Sequence, residues 1–153
     1  DAEDYRSLYH AVGAPWLWYE RSELHERALH QLISAPNVSI FVLQHHGKRA
    51  GFCELKTSTS GETQILYFGL TLPFIGTGLG QFFLDWTIHK VFEEPLERLW
   101  VHTCSLDHPR ALAAYQKAGF TLYREESGWV RIPQSALDRR DEAKRMAADV
   151  NRD

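Results

Sequence analysis

Gly76-Thr77-Gly78-Leu79-Gly80 is the stretch of this chain best suited to hold an anion. Alternating glycines after a strand-like run and before a helix-like run expose successive backbone N–H groups. The start of the helix adds partial positive charge. Such a loop binds phosphate without Lys or Arg. Two familiar phosphate loops fail on spacing. A dinucleotide fingerprint, GxGxxG, needs glycine where Gln81 stands, and a P-loop needs Gly-Lys-Ser/Thr where the chain reads Gly80-Gln81-Phe82. The triplet alone is equally compatible with a plain strand-to-helix turn.

A second block lies one strand later: His108-Pro109-Arg110-Ala111-Leu112-Ala113-Ala114-Tyr115-Gln116-Lys117-Ala118-Gly119-Phe120. It predicts a helix with His108 as N-cap, Pro109 at the first helical position and Gly119 in the left-handed position beyond the end. The remaining reactive residue types are scattered. Cys53 and Cys104 form no CxxC pair, and each is expected to be a small buried residue on a strand. The eight histidines show neither HExxH nor zinc spacing, so no metal is expected.

The elements that must position these blocks follow from periodicity. Asp4 to Val12 reads as a short helix ended by Gly13 and Pro15. Trp16-Leu17-Trp18-Tyr19 reads as part core and part pocket wall. Arg21 to Ser34 reads as a second helix capped by Ser22, with Leu24, Ala28, Leu29 and Leu32 on one stripe. Ser39–Gln44, Arg49–Thr57 and Thr63–Leu70 read as an antiparallel meander, with His46-Gly47-Lys48 as its first turn. A helix to about Phe92 follows the glycine loop, with Leu79, Phe82, Phe83 and Trp86 facing the core. Arg98–Cys104 is a buried strand. Thr121–Glu126 and Trp129–Ile132 are expected to close the sheet, and a polar helix runs from about Ser135. The expected fold is α+β: a mixed, mostly antiparallel sheet flanked by helices in α/β/α layers.

Composition limits the function. The 153 residues make one domain, 1–153, with 44% hydrophobic and 24% charged residues. The net charge of -3 argues against binding nucleic acid by bulk charge. No apolar run reaches membrane-spanning length. No signal peptide is visible, although the chain starts at Asp1; a cytoplasmic setting is the default expectation.

Taken together, the two blocks resemble the GCN5-related N-acetyltransferase (GNAT) superfamily. Its signature is a strand, then Q/R-x-x-G-x-G/A, then a helix, and later N-x-x-A-x-x-x-Y-x-x-x-G-F. Ile75 to Gly80 is similar to the first block, and His108, Ala111, Tyr115, Gly119 and Phe120 to the second. The resemblance spans Ser39 to Glu126. Ile75 stands in place of Gln or Arg, His108 in place of Asn, and Gln64 where many relatives carry a basic Glu. The family's first strand, ahead of the first helix, has no counterpart in the reading of this chain.

The resemblance implies acetyl-coenzyme A as donor and a primary amine of a small molecule or peptide as acceptor, with direct transfer and no metal. Main-chain groups of Leu70 and Leu72 would meet the pantetheine arm. The amides of Ile75, Gly76, Thr77, Gly78, Leu79, Gly80 and Gln81 would cradle the pyrophosphate, and His108 would border the cofactor. A backbone N–H near Leu70 would polarise the thioester carbonyl. Tyr115 would protonate the departing thiolate. Candidates for the base are Glu54, Glu62, His102 and ordered water, with Glu54 favoured. A homodimer is compatible with the family; nucleic acid and membrane partners are not expected. The alternative is a non-catalytic acyl-CoA-binding or sensor domain, for which the amide at Gln64 argues.

Overall fold

Runs rich in β-branched and aromatic residues pair where they can bury both faces, and three such runs form the first part of the sheet. The computed structural model describes residues 1–150. Its elements are α1 (Ala2–Gly13), a 3-10 turn (Ala14–Trp16), α2 (Glu26–Ile33), β1 (Val38–His45), β2 (Lys48–Thr57), β3 (Glu62–Leu70), a second 3-10 turn (Leu72–Phe74), α3 (Leu79–Val91), β4 (Arg98–Val101), α4 (Ala111–Lys117) and α5 (Gln134–Val150). The strands lie in the order β1-β2-β3-β4. The first two pairings are antiparallel and β3 pairs with β4 in parallel.

Both faces of the sheet are covered, as an α/β/α sandwich requires. Alternation along β2 sends Phe52 and Glu54 to one face and Cys53 and Leu55 to the other. The first face packs under Tyr5, Leu8, Tyr9 and Val12 of α1 and Leu29 of α2. The second packs under Phe83 and Leu84 of α3 and Tyr115 of α4. α5 docks its first turns against the 3-10 turn at Ala14–Trp16, burying Ala136 and pairing Arg139 with Glu23 at 3.2 Å.

The β3–β4 pairing is short. Only Glu62 to Ile65 pair with Arg98 to Val101. The register of β2 against β3 slips at the next residue: Leu55 faces Ile65 and Glu54 faces Tyr67, leaving Leu66 extra. A bulge bends the strand that carries it. From Leu66 to Leu70, β3 has no strand partner on its β4 side among the described residues, and the sheet opens there.

Several expected boundaries move. α2 starts at Glu26, not Arg21, and its cap is His25, whose side chain accepts from the Arg27 N–H; Ser22 instead lies 2.7 Å from His10 Nε2. The core face of α3 is Phe83, Leu84 and Thr87, whereas Phe82 is 59% exposed. β4 ends at Val101, so Cys104 falls in an Asp107-capped turn and is exposed. The two closing strands do not form. Residues 120–133 have no regular structure, with Leu122, Tyr123, Trp129 and Val130 exposed. A strand needs a partner edge, and this segment touches β4 through a side chain, Tyr123 under Arg98, without joining its ladder.

Candidate functional site

The glycine loop has the geometry its spacing predicts. Gly76 and Gly78 have φ of +82° and +89°, a region that other residues enter only with strain. Gly78 is the N-cap of α3. The Thr77 hydroxyl donates to the Phe74 carbonyl at 2.7 Å and fixes the turn. The amides from Gly76 to Gln81 donate to no acceptor among the described residues. Nothing lies within 4 Å of the position a Gly78 side chain would take. A row of unpaired N–H groups before an open space at a helix start fits a pyrophosphate.

Arg110 adds a full charge that sequence reasoning missed. Its guanidinium lies 3.8 Å from where a Gly76 Cβ would sit. The signal lies in the second block, where Arg110 stands, but a glycine loop accounts for anion binding by backbone groups without calling for it. His108 holds the start of α4. Its Nδ1 accepts from the Arg110 N–H at 3.0 Å, so it caps the turn, although regular helix begins only at Ala111. Burial and the neighbouring Arg110 push the His108 pKa below its ordinary value. Its ring packs edge-on against Trp16, with centroids 5.0 Å apart.

Leu70 closes β3 and is buried, and Leu72 opens the following 3-10 turn. The Thr71 N–H donates to Ala50 of β2. Backbone groups alternate sides along a strand, so those of Leu70 point away from β2, toward the gap beside β4. Ile75 lies between that turn and the glycines, its N–H donating to Leu72.

Tyr115 packs against Phe68 of β3 and Phe120, in the cluster that also holds Cys53. Its hydroxyl has no hydrogen-bond partner among the described residues. Burial, with smaller contributions from Asp107 and Cys53, pushes its pKa well above the usual phenol value. The group is therefore protonated at neutral pH. The Gly119 end is a Schellman cap: Gly119 N–H donates to Gln116 and Phe120 N–H to Tyr115, with Gly119 at φ +103°.

Glu54 lies on the other face and is fully buried. Its two oxygens are both engaged, Oε1 by Arg21 and Oε2 by the Tyr5 hydroxyl. Burial works against the Arg21 charge, but Glu54 more than offsets it and raises the guanidinium pKa. Burial, reinforced by Glu54, likewise raises Tyr5. Of the other base candidates, Glu62 pairs with Arg98 at 3.1 Å and His102 is exposed just beyond β4. The aromatic segment divides its roles. Trp18 is half-buried, packed on Tyr9, Phe52 and Tyr67 and filling the space left by Gly13 and Gly69. Trp16 reaches across to His108. Among the described residues, no group of three or more His, Cys, Asp or Glu is placed to hold a metal, and no helix is long and apolar enough to cross a membrane.

Comparison with solved structures gives the same architecture. An aminoglycoside acetyltransferase from an uncultured soil metagenomic sample, in complex with sisomicin, is 16% identical with a TM-score of 0.68, covering 86% of this chain and 89% of that one. A ribosomal-protein alanine N-acetyltransferase from Escherichia coli is 17% identical with a TM-score of 0.63, over 81% and 74% of the two chains. An IAA acetyltransferase from Bacillus cereus is 19% identical with a TM-score of 0.60, over 78% and 71%. No curated protein sequence matches at a significant level. The model of the acetyltransferase (GNAT) family matches residues 5–120, from the first tyrosine of α1 through the Gly119-Phe120 cap. With the glycine loop, the opened sheet and the α4 tyrosine in place, the chain belongs to the acetyltransferase (GNAT) family and is an N-acetyltransferase of that fold.

Proposed function

We propose that the protein moves an acetyl group from acetyl-CoA directly to a primary amine of a small molecule or peptide. The carrying observation is the run of amides from Gly76 to Gln81 that meet no acceptor among the described residues, at the start of α3 and beside Arg110. These groups suit a pyrophosphate. The unpaired edge of β3 suits a pantetheine arm, which would add to it as a strand does. The thioester then enters the gap beyond Ile65, and the Leu70 amide stabilises the oxyanion as the amine adds.

Tyr115 acts as the acid that protonates the departing thiolate. Its raised pKa keeps the proton available at neutral pH and makes it a weaker donor. An unperturbed phenol, near 10, is already weaker than a simple thiol near 8.5. The step therefore depends on the thiolate forming where only Tyr115 can meet it. Glu54, favoured from sequence as the base, has both oxygens committed to Arg21 and Tyr5, and we assign it a positioning role.

The test combines binding with turnover. Coenzyme A should raise the melting temperature of the full chain, and Gly78→Ala should reduce that shift. Acetyl-CoA with an amine panel should release free thiol. A thermal shift without thiol release from any amine would favour a binding or sensor domain, for which the amide at Gln64 is the supporting residue.

A further inference from the structure

A glutamate on a protein surface normally samples several rotamers, and holding it costs entropy. Glu20 is exposed, yet its Oε2 accepts hydrogen bonds from the Tyr9 hydroxyl at 3.3 Å and the Tyr67 hydroxyl at 3.2 Å. The two donors come from different elements, α1 and β3. Tyr67 stands on the unpaired half of β3, immediately beyond the bulge, with its ring toward α1. Glu20 is thus held beside the unpaired half of β3, on the α1 face of the sheet rather than the α3 face.

The surroundings define what it can receive. Tyr67 and Trp18, both half-buried, form an aromatic wall backed by fully buried Tyr9, with ring centroids 5.0 to 5.5 Å apart. The guanidinium of Arg21 lies 5.3 Å over the Tyr67 ring, but its charge is compensated by buried Glu54. The titratable groups around Glu20 are Tyr5 and Tyr9 from α1, Tyr67 from β3, Glu54 from β2 and the adjacent Arg21. Glu20 is the charge among them left open to solvent.

We infer that Glu20 receives the acceptor: its carboxylate binds the ammonium of a primary amine against the Tyr67–Trp18 wall and takes its first proton, and it favours amines with no neighbouring carboxylate. The inference rests on the acetyl-transfer reading and deepens it. The ammonium N–H bond breaks and its proton passes to Glu20, directly or through the Tyr67 hydroxyl. The freed lone pair forms the C–N bond to the thioester carbonyl carbon. As the tetrahedral adduct collapses, the C–S bond breaks and the nitrogen loses a second proton to water. Sulfur takes a proton from Tyr115, which solvent replaces, and Glu20 returns its proton to solvent. A carboxylate beside the amine would face Glu20 with the nearest guanidinium already paired.

The experiment measures thiol release from acetyl-CoA by the full chain with matched acceptors, phenethylamine and butylamine against phenylalanine and alanine. The simple amines should exceed the amino acids about tenfold or more in kcat/KM, as an unpaired like charge predicts. Glu20→Gln should keep the coenzyme A thermal shift while losing about a hundredfold in kcat/KM for the amine, as expected for loss of a general base. Glu20→Asp should restore part of the rate. A wild-type rate in Glu20→Gln, with Tyr115→Phe impaired, would overturn the Glu20 assignment and leave acetyl transfer standing. Faster turnover of the amino acids would overturn the acceptor class. No thiol release from any amine by the wild type would remove the acetyl-transfer reading, and this inference with it.

Discussion

Glu54 and Tyr115 face opposite sides of the same sheet. Glu54 on β2 packs among α1 residues with Tyr5, while Tyr115 on α4 shares its cluster with Cys53, the residue before Glu54 in the chain. The cluster under α1 and the cluster under α3 and α4 are therefore separate compartments of the fold, divided by the sheet.

Replacing Tyr115 with Phe removes the hydroxyl and keeps the ring against Phe68 and Phe120. Turnover should fall by about a hundredfold or more, within the range for loss of a general acid. The coenzyme A thermal shift should stay close to that of the wild type. Equal turnover in the two proteins would end the acid assignment.

The Arg21–Glu54 pair should matter for stability. Glu54 has no exposed surface and the Arg21 side chain is 13% exposed. Removing the cation alone strands a buried carboxylate, so Arg21→Met should cost about 3–5 kcal/mol in urea unfolding. The double variant Arg21→Met with Glu54→Leu should recover much of that loss. Additive losses in the cycle would show that the two charges are energetically independent.

The two cysteines should separate cleanly in a thiol-labelling experiment. Burial pushes the Cys53 thiol up to about 11, partly offset by the Thr87 hydroxyl. Cys104 is exposed. The native protein should react at Cys104 alone, read by mass spectrometry, and Cys53 should react only on unfolding. Comparable native reactivity at both would contradict the packing of β2 under α3.

Stability should decline on the acid side of neutrality through His10. Burial, then Arg139 and Arg6, lower its pKa below the ordinary 6.5. The unfolded chain therefore binds this proton more readily than the folded one. The native state keeps its full advantage above pH 6.5 and loses it as pH falls toward the depressed value. His10→Gln, which can still bond Ser22, should show a shallower loss of melting temperature between neutral and mildly acid pH. An unchanged slope would remove His10 from the account.

What could be read directly from the sequence was local. The three meander strands are legible because alternation and turn residues act within a few positions. The glycine loop and the Gly119 cap are legible because positive φ demands glycine at a defined place. The misjudged features depend on distant partners. The engagement of Glu54 depends on Arg21, 33 positions away in the chain, which no local pattern signals. Glu20 carries no motif; it stands out only once Tyr9 and Tyr67 converge on it. Phe82 and Trp86 suit a helix core face by periodicity, but α3 rolls so that Thr87 is buried, its hydroxyl satisfied by the Phe83 carbonyl at 2.8 Å. The closing strands had the right alternation, yet the segment meets the free edge of β4 through the Tyr123 ring and Arg98 without pairing to its backbone.

Leu66 carries one further consequence. It is a single supernumerary residue in the register of β3 against β2, and β3 leaves β4 at that point. The opening of the sheet thus coincides with one extra residue of backbone: a shift of register, not a side chain, marks where β3 parts from its parallel neighbour.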